Sequence, residues 1–380
     1  MSLKAMPDAR LVLDSISDGV YVTDRDRQIV YWSRSAERIT GWQAADVVGK
    51  HCHDDVLCHI DKDGHRLCGE EYCPLHRAIV SGNQSTAPII VFARAKGGHR
   101  VPMRVTVGPV LNADGEIIGG VETFHDLSEE IHDVERAKKI QSMSMRRELP
   151  PDDRIAFREH YISRDIVGGD FPAIARLSDD VYGFMLADVS GHGVAAALYT
   201  MFLCLLWETH KSLLENPAEF ASAMSKSLCS LAKEDSPFAA ALCGVVDLSR
   251  GTIRMAGAGI PFPLLFPSNK EPVAIPCKGL PFGVFEEARY SEVTVNFDPG
   301  DCLLLFSDGA TEVTQKDGSM LETKGLLDCL CSLGYPRREV AMKDMEEAIL
   351  RSSDLVRFND DLTFLEISRS LAQGTETGTT

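Results

Sequence analysis

Residues 180–198 read DVYGFMLADVSGHGVAAAL. From Val181 to Val189 apolar side chains dominate, which marks a buried strand. Asp188 interrupts that strand at its end, Gly191 and Gly193 allow a tight turn, and the run GVAAALYTMFLCLLWETHKSLL that follows has the composition of a helix. A carboxylate placed where a strand gives way to such a turn is held at a sheet edge.

Three other segments share the design. Val167-Gly168-Gly169-Asp170, Phe306-Ser307-Asp308-Gly309 and Asn359-Asp360-Asp361-Leu362-Thr363 each set an aspartate at the end of an apolar strand beside a glycine or small residue. Taken singly, such an aspartate is a turn former or a helix N-cap. Four of them predict one shared cleft, in which carboxylates stay ionised only if cations neutralise them. Oxygen donors without Cys or His at zinc spacing imply two hard ions, Mn²⁺ or Mg²⁺. Paired ions about 3.5–4 Å apart acidify a water and polarise a phosphoryl oxygen, so hydrolysis without a protein nucleophile is the expected chemistry.

The rest of the chain is consistent with a soluble, two-domain protein. At 380 residues it is too long for one ordinary domain. Its 44% hydrophobic and 25% charged residues suit packed cores. A formal net charge of -17 repels phosphate backbones and anionic lipid, which argues against nucleic-acid and membrane partners. No apolar stretch is long enough to span a bilayer, and MSLKAMPDAR lacks the apolar core of a secretory signal. Eleven cysteines, several in apolar contexts such as Cys204, Cys243 and Cys302, suit reduced thiols in a bacterial cytoplasm.

Near the N-terminus, GVYVTDRDRQIVYWS predicts two strands about the turn Asp24–Arg27, and SAERITGW a helix that Ser33 or Ser35 opens and Gly41 ends. APIIVFARA, HRVPMRVTVGPVLN and EIIGGVETFHDL predict three more strands. This order, with the phrases DGVYVTDRDRQIVYWSRSAERITGW and DGEIIGGVETFHDLSEE, resembles a PAS domain over residues 8–126. Residues 127–150 read as a helical linker with Ile131, Val134, Ala137 and Ile140 at helical spacing, ended by Pro150-Pro151. Such a helix is either a plain connector or a dimerising element that carries a signal, so a homodimer through the PAS domain and linker is one expectation. Residues 371–380 read as a flexible tail.

Over residues 151–370 the strands and grouped helices predict a layered α+β domain. The ordered set IVGGDF, ADVSGHGVAAAL, AGAGIPFPLLF, GLPFGV, PGDCLLLFSDGATEV and NDDLTFLEI resembles the SpoIIE-like branch of the PPM phosphatases, bacterial serine/threonine phosphatases that often control sigma-factor partner switching. The resemblance implies an α-β-β-α sandwich and a phosphorylated, anti-sigma-antagonist-like protein substrate. It implies that Asp188 bridges both ions, with the Val189 carbonyl on one of them. Asp308 and Asp360 then hold the other, and Asp170 acts directly or through water. Asp361 is an auxiliary, since the first residue of the family's acidic pair is usually the ligand. Gly169, Gly191 and Gly309 would permit close backbone approach. His192 is either a proton donor to the leaving oxygen or a residue of the turn that starts the helix, and the second role is favoured. Where the family usually has Ala-Gly-His-x-Pro-Pro this chain reads Ala258-Gly259-Ile260-Pro261-Phe262-Pro263, which leaves substrate handling at that loop in question.

Three rival functions are weaker. Val167–Phe171 is similar to a diguanylate cyclase signature but lacks its glutamate, and a histidine kinase using His132 would need nucleotide-binding glycine boxes that are absent. A catalytically inactive phosphatase fold that binds a partner is the alternative, opposed by the presence of all four aspartates. Finally, HCHDDVLCHIDKDGHRLCGEEYCPLH, residues 51–76, holds Cys52, Cys58, Cys68 and Cys73 among five histidines without a C-x-x-C pair. Structural thiols, a metal or iron–sulfur site and a redox switch all remain open for it, as does an unidentified sensor ligand.

Overall fold

The computed structural model describes residues 8–371 except 55, 62–63, 70–71, 85–88, 146–148, 150, 232–236, 337–339, 354 and 356–357. Pro150, read above as the stop of the linker helix, and the tail beyond Leu371 lie outside the described residues. The chain divides into two units between Asp133 and Val134.

In the first unit, helix α1 (Ala9–Asp14) precedes strands β1 (Gly19–Asp24) and β2 (Ile29–Trp32). Ser33 then caps α2 (Arg34–Thr40) by accepting from Ala36 N, and Gly41 ends it at φ 74°. Short helices α3 (Ala44–Val47) and α4 (Pro74–Ser81) lead to β3 (Ile89–Arg94), β4 (Arg100–Leu111) and β5 (Ile117–Asp126). The strands form one antiparallel sheet in the order β2-β1-β5-β4-β3. Its inner face, with Tyr21, Trp32, Met103, Val105 and Phe124, packs on Leu75, Ala78 and Ile79 of α4.

Helix α5 (Ser128–Met145) follows. The spacing predicted Ile140 on its inner stripe, yet Ile140 is 56% exposed and the buried residue is Gln141. A polar side chain displaces the apolar one because its amide finds two partners, Gly168 O at 2.8 Å and Thr200 Oγ1 at 2.7 Å.

The second unit contains β6 (Ile155–Ile162), β7 (Asp170–Arg176), β8 (Val181–Val189), α6 (Val194–His210), α7 (Pro217–Leu231), β9 (Ala239–Asp247) and β10 (Thr252–Ala258). It continues through β11 (Leu264–Phe266), β12 (Val273–Ala274), β13 (Glu292–Asn296), β14 (Cys302–Phe306), α8 (Glu322–Leu333), α9 (Met342–Ser352) and β15 (Leu362–Arg369). Two five-stranded antiparallel sheets, β13-β10-β9-β8-β7 and β12-β11-β14-β15-β6, enclose a core that includes Phe184, Leu186, Val246, Met255, Leu303 and Leu365. Helices α6 and α7 bury Leu203, Trp207, Phe220 and Met224 against the outer face of the first sheet. Helices α8 and α9 bury Leu326, Leu330, Met345 and Ile349 against the second. The layers are therefore helix, sheet, sheet, helix, as expected.

No helix among the described residues is long and apolar enough to cross a membrane. All eleven cysteines are free thiols.

Candidate active site

The four aspartate motifs gather at one edge of the two sheets. Asp188, next to last in β8, stands directly opposite Asp170 in the antiparallel ladder. On the other sheet, Phe306 at the end of β14 pairs with Phe364 near the start of β15, which brings Asp308 beside the Asp360–Asp361 pair. Two of the aspartates differ from expectation in one respect. Asp170 opens β7 and Asp360 precedes β15, so only Asp188 and Asp308 lie where a strand ends. Antiparallel pairing makes the difference harmless, because the end of one strand adjoins the start of the next.

The sheets are tied together at this edge. Thr363 Oγ1 of β15 donates to Asp170 Oδ2 at 2.5 Å, and Ser307 Oγ accepts from Thr363 N at 2.9 Å. Asp361 is buried, with its carboxylate accepting from Arg164 N at 2.7 Å and Gly169 N at 2.5 Å, while Asp360 is exposed and accepts from Asp361 N. Asp361 thus braces the Gly168–Asp170 segment, and Asp360, close enough to Asp188 and Asp308 to raise both, stays exposed.

The electrostatics are those of crowded carboxyls. Burial, then Asp170, Asp308 and Asp360, pushes Asp188 far above the usual carboxylate range. Burial raises Asp170 and Asp308 as well, with Asp361 acting on the former and Glu312 and Asp360 on the latter. Asp188 and Asp308 lie within hydrogen-bonding reach of each other, so one proton between them relieves their repulsion. Asp170 is fully buried, and its Oδ1 has no hydrogen-bond partner among the described residues. A buried carboxylate oxygen without a partner, in a group of other carboxyls, has the donor chemistry of a hard-cation ligand. As the side chains stand, no three His, Cys, Asp or Glu groups among the described residues surround a single point. Binding an ion would therefore draw these side chains inward as it replaced their protons. The fit is by donor chemistry: Asp170, Asp188, Asp308, Asp360 and the Val189 carbonyl supply oxygens only.

The glycines divide by role. A Cβ on Gly309 would lie 2.0 Å from Asp361 O, so close approach there requires glycine. Gly169 is less tight, with Val189 O at 3.1 Å. Gly191 has nothing within 4 Å and instead supplies φ 90° in the turn, so expecting close approach there was mistaken. The tighter position is Gly168, where a Cβ would meet Tyr161 Oη at 1.9 Å and Asp361 Oδ2 at 2.4 Å.

That contact exposes a residue the sequence did not single out. The Tyr161 hydroxyl is buried without a partner among the described residues, next to Asp361, Asp170 and Asp188, which with burial push it well above its usual range. Only a tyrosine in β6 marks it in the sequence, and its reach depends on the β6–β15 register, in which Tyr161 pairs with Thr363. His192, by contrast, sits in the exposed turn before α6 with Nδ1 2.7 Å from Asp165 Oδ2. Ile260 is 5% exposed and packs in the core between the sheets. The loop departure thus places an apolar residue where packing favours one.

Residues 178–370 match the stage II sporulation protein E (SpoIIE) family, and residues 13–132 match a PAS fold. The phosphoserine phosphatase RsbP of Bacillus subtilis is 25% identical over 185 residues, which is 48% of this chain and 46% of RsbP. RsbU, a phosphoserine phosphatase of the same organism, is 20% identical over 310 residues, 81% of this chain and 88% of RsbU. The chain therefore spans less than half the length of the first relative and most of the second. Among solved structures, the SiaA-PP2C domain of Pseudomonas aeruginosa superposes with a TM-score of 0.53 at 20% identity, covering 63% of this chain and 97% of that one, and shares its fold. Since the SpoIIE match takes in half of the 380 residues and includes Asp188, Asp308 and Asp360, the chain belongs to the SpoIIE family, with a PAS fold preceding the phosphatase-type domain.

Proposed function

We propose that this protein is a bacterial, cytoplasmic, metal-dependent phosphatase that removes phosphate from serine or threonine of a regulatory protein of the anti-sigma-antagonist type, under control of its PAS domain. The observation that carries this reading is the gathering of Asp170, Asp188, Asp308 and Asp360, remote in sequence, at one sheet edge, where Asp170 Oδ1 is buried without a partner among the described residues.

Two Mn²⁺ or Mg²⁺ ions, when bound, supply an acidified water and neutralise the phosphoryl oxygens. Asp188 has Asp170, Asp308 and Asp360 as near neighbours, so it is the carboxylate that would help to hold both ions. Asp361 and Thr363 hold Asp170 and the Gly169 backbone in place, so these donors change little during a turnover. In the reaction the water oxygen bonds phosphorus as the serine oxygen–phosphorus bond breaks, the attacking water gives up a proton to solvent, and the leaving serine oxygen takes one from solvent. His192 is assigned to the turn before α6, where Asp165 holds it. A homodimer formed through the PAS domain and α5 is the assembly we propose for signal transfer.

The test is phosphate release from a phosphoserine protein compared with a phosphotyrosine peptide, with and without Mn²⁺. Turnover confined to the phosphoserine substrate and abolished by chelation supports the reading. Equal turnover without divalent cation would overturn it.

A further inference from the structure

The PAS core contains a second group of buried ligating side chains. His59 is 4% exposed and Glu122, on β5, is 1% exposed. Their His59 Nε2 and Glu122 Oε1 atoms are 3.6 Å apart, and neither has a hydrogen-bond partner among the described residues. Burial pushes His59 down and Glu122 up, so both shifts oppose an ion pair between them. Two buried polar atoms facing each other unpaired is an expensive arrangement for an apolar core. The spacing matches something else. Two ligands with bonds of about 2.1 Å to one tetrahedral cation lie about 3.4 Å apart.

Thiols surround the pair. Cys68 Sγ accepts from His59 N at 3.0 Å. Burial, with Glu122 and Cys73 nearby, raises both the Cys52 and the Cys68 thiols. Cys52 and Cys73 are buried in the same core as Tyr21, and the Tyr21 hydroxyl reaches Glu122. Just before His59, Cys58 adopts φ 43°, a left-handed conformation rare for a side-chain-bearing residue. That twist separates the two neighbours: Cys58 Sγ turns to His53 O while the His59 ring enters the core.

We propose that His59 Nε2, Glu122 Oε1 and the thiolates of Cys52 and Cys68 form a binding site for one thiophilic divalent cation of the Zn²⁺ class inside the PAS domain. These donors are neighbours, not an assembled shell, since no three of them surround one point. Binding therefore closes the Cys52 and Cys68 side chains onto the His59–Glu122 gap and releases the thiol and carboxyl protons to solvent. The site joins β5 to the segment between α3 and α4, so its occupancy would stiffen a part of the sensor that otherwise leaves polar atoms unpaired.

Co²⁺ titration of the full-length chain, purified without oxygen and stripped by chelator, tests this. Sulfur-to-cobalt charge transfer reports only a thiolate site, so ions held by the all-oxygen aspartate cleft do not contribute. One equivalent should develop the band together with tetrahedral ligand-field absorption, and Zn²⁺ should displace it. Cys52→Ser and Cys68→Ser should each weaken binding at least tenfold and reduce the band, His59→Gln and Glu122→Gln should weaken binding while leaving it, and Cys58→Ser should change neither. Should the cysteine variants fail to fold, alkylation of the wild type decides: Zn²⁺ should protect Cys52 and Cys68 but not Cys58 or the exposed Cys331. Absence of a sulfur band in the wild type, a band undiminished in folded Cys52→Ser and Cys68→Ser, or alkylation of Cys68 unaffected by Zn²⁺ would overturn the proposal.

Discussion

Thr363 Oγ1 donates a hydrogen bond to Asp170 Oδ2 at 2.5 Å, joining β15 of one sheet to β7 of the other at the point where the aspartates meet. The bond opposes the burial that otherwise raises the Asp170 carboxyl. Thr363→Val keeps the shape and removes the donor, leaving a fully buried carboxylate with less support. Stability should fall by about 1–3 kcal/mol, measured by denaturant unfolding. In the proposed phosphatase reaction, the acid limb of the pH–rate profile should move to higher pH, because Asp170 then takes up its proton more readily. An unchanged profile would assign Thr363 to packing alone.

Asp188→Asn and Asp308→Asn each remove one carboxyl from a crowded, buried cluster. Without cation the substitutions should leave the protein as stable as before or more so, since repulsion between carboxyls is relieved. With Mn²⁺ they should lower phosphate release by about two orders of magnitude or more and abolish the stabilisation that the ion gives the wild type. Calorimetric titration and thermal unfolding with and without Mn²⁺ separate the effects.

Gly309→Ala probes the backbone next to the same cluster. The added methyl group would sit 2.0 Å from Asp361 O, and backbone cannot rotate away as a side chain can. Overpacking of this kind costs about 1–3 kcal/mol, and the displaced Asp360–Asp361 segment should weaken Mn²⁺ binding. Gly191→Ala should act differently. There is open space around Gly191, so the penalty comes from φ 90° alone and should leave cation affinity nearer the wild type.

Much of this was legible in the primary structure where local chemistry and tertiary contact agree. The stretch from Val181 to His210 reads as strand, turn and helix because apolar saturation, glycines and helix formers succeed one another, and β8 and α6 follow that order. Ser33 and Gly41 bound α2 as cap chemistry dictates. Helices α7 and α8 escaped sequence reading, since PAEFASAMSKSLCSL and ETKGLLDCLCSL mix Ser, Cys and Gly into their stripes and derive their helicity from packing on the sheets. The division of labour between Asp360 and Asp361, the Tyr161 hydroxyl and the His59–Glu122 pair all arise from contacts between distant segments. No local pattern encodes such contacts. Glu122 itself lies in a strand with nothing beside it to suggest burial, whereas the cysteines and histidines of residues 51–76 announced themselves by density.

At the far end of the phosphatase-type domain from its chemistry, Asp152 accepts from the Tyr182 hydroxyl at 2.7 Å and pairs with Arg154 at 2.8 Å. The Arg154 guanidinium, with Tyr182 assisting, holds the Asp152 carboxyl well below the usual range. A depressed folded-state value means that the stabilisation is present above the unfolded value of about 3.9 and is lost as pH falls through the folded one. The difference in melting temperature between wild type and Asp152→Asn should therefore be constant from pH 7 to 5 and shrink below pH 4. A difference that stays constant with falling pH, down to the lowest pH at which both proteins remain folded, would assign the effect to shape and not charge.

Gln141 offers the sharpest test of how α5 bears on the cleft. Its amide donates to Gly168 O and to Thr200 Oγ1, and Thr200 in turn donates to Ala197 O, so one side chain clasps the turn before Asp170 and the first turns of α6. Gly168 is two residues from Asp170, and α6 starts five residues after Val189. Gln141→Leu retains bulk but leaves a buried carbonyl and hydroxyl short of a donor, which should lower stability by about 1–3 kcal/mol. If the clasp also positions the cleft, Mn²⁺ affinity and phosphate release should fall by a larger factor than in Leu203→Ala, a variant that loses packing in α6 far from the aspartates. Matched for stability, equal Mn²⁺ affinity in the two variants would make Gln141 a packing residue and remove α5 from the control of the site.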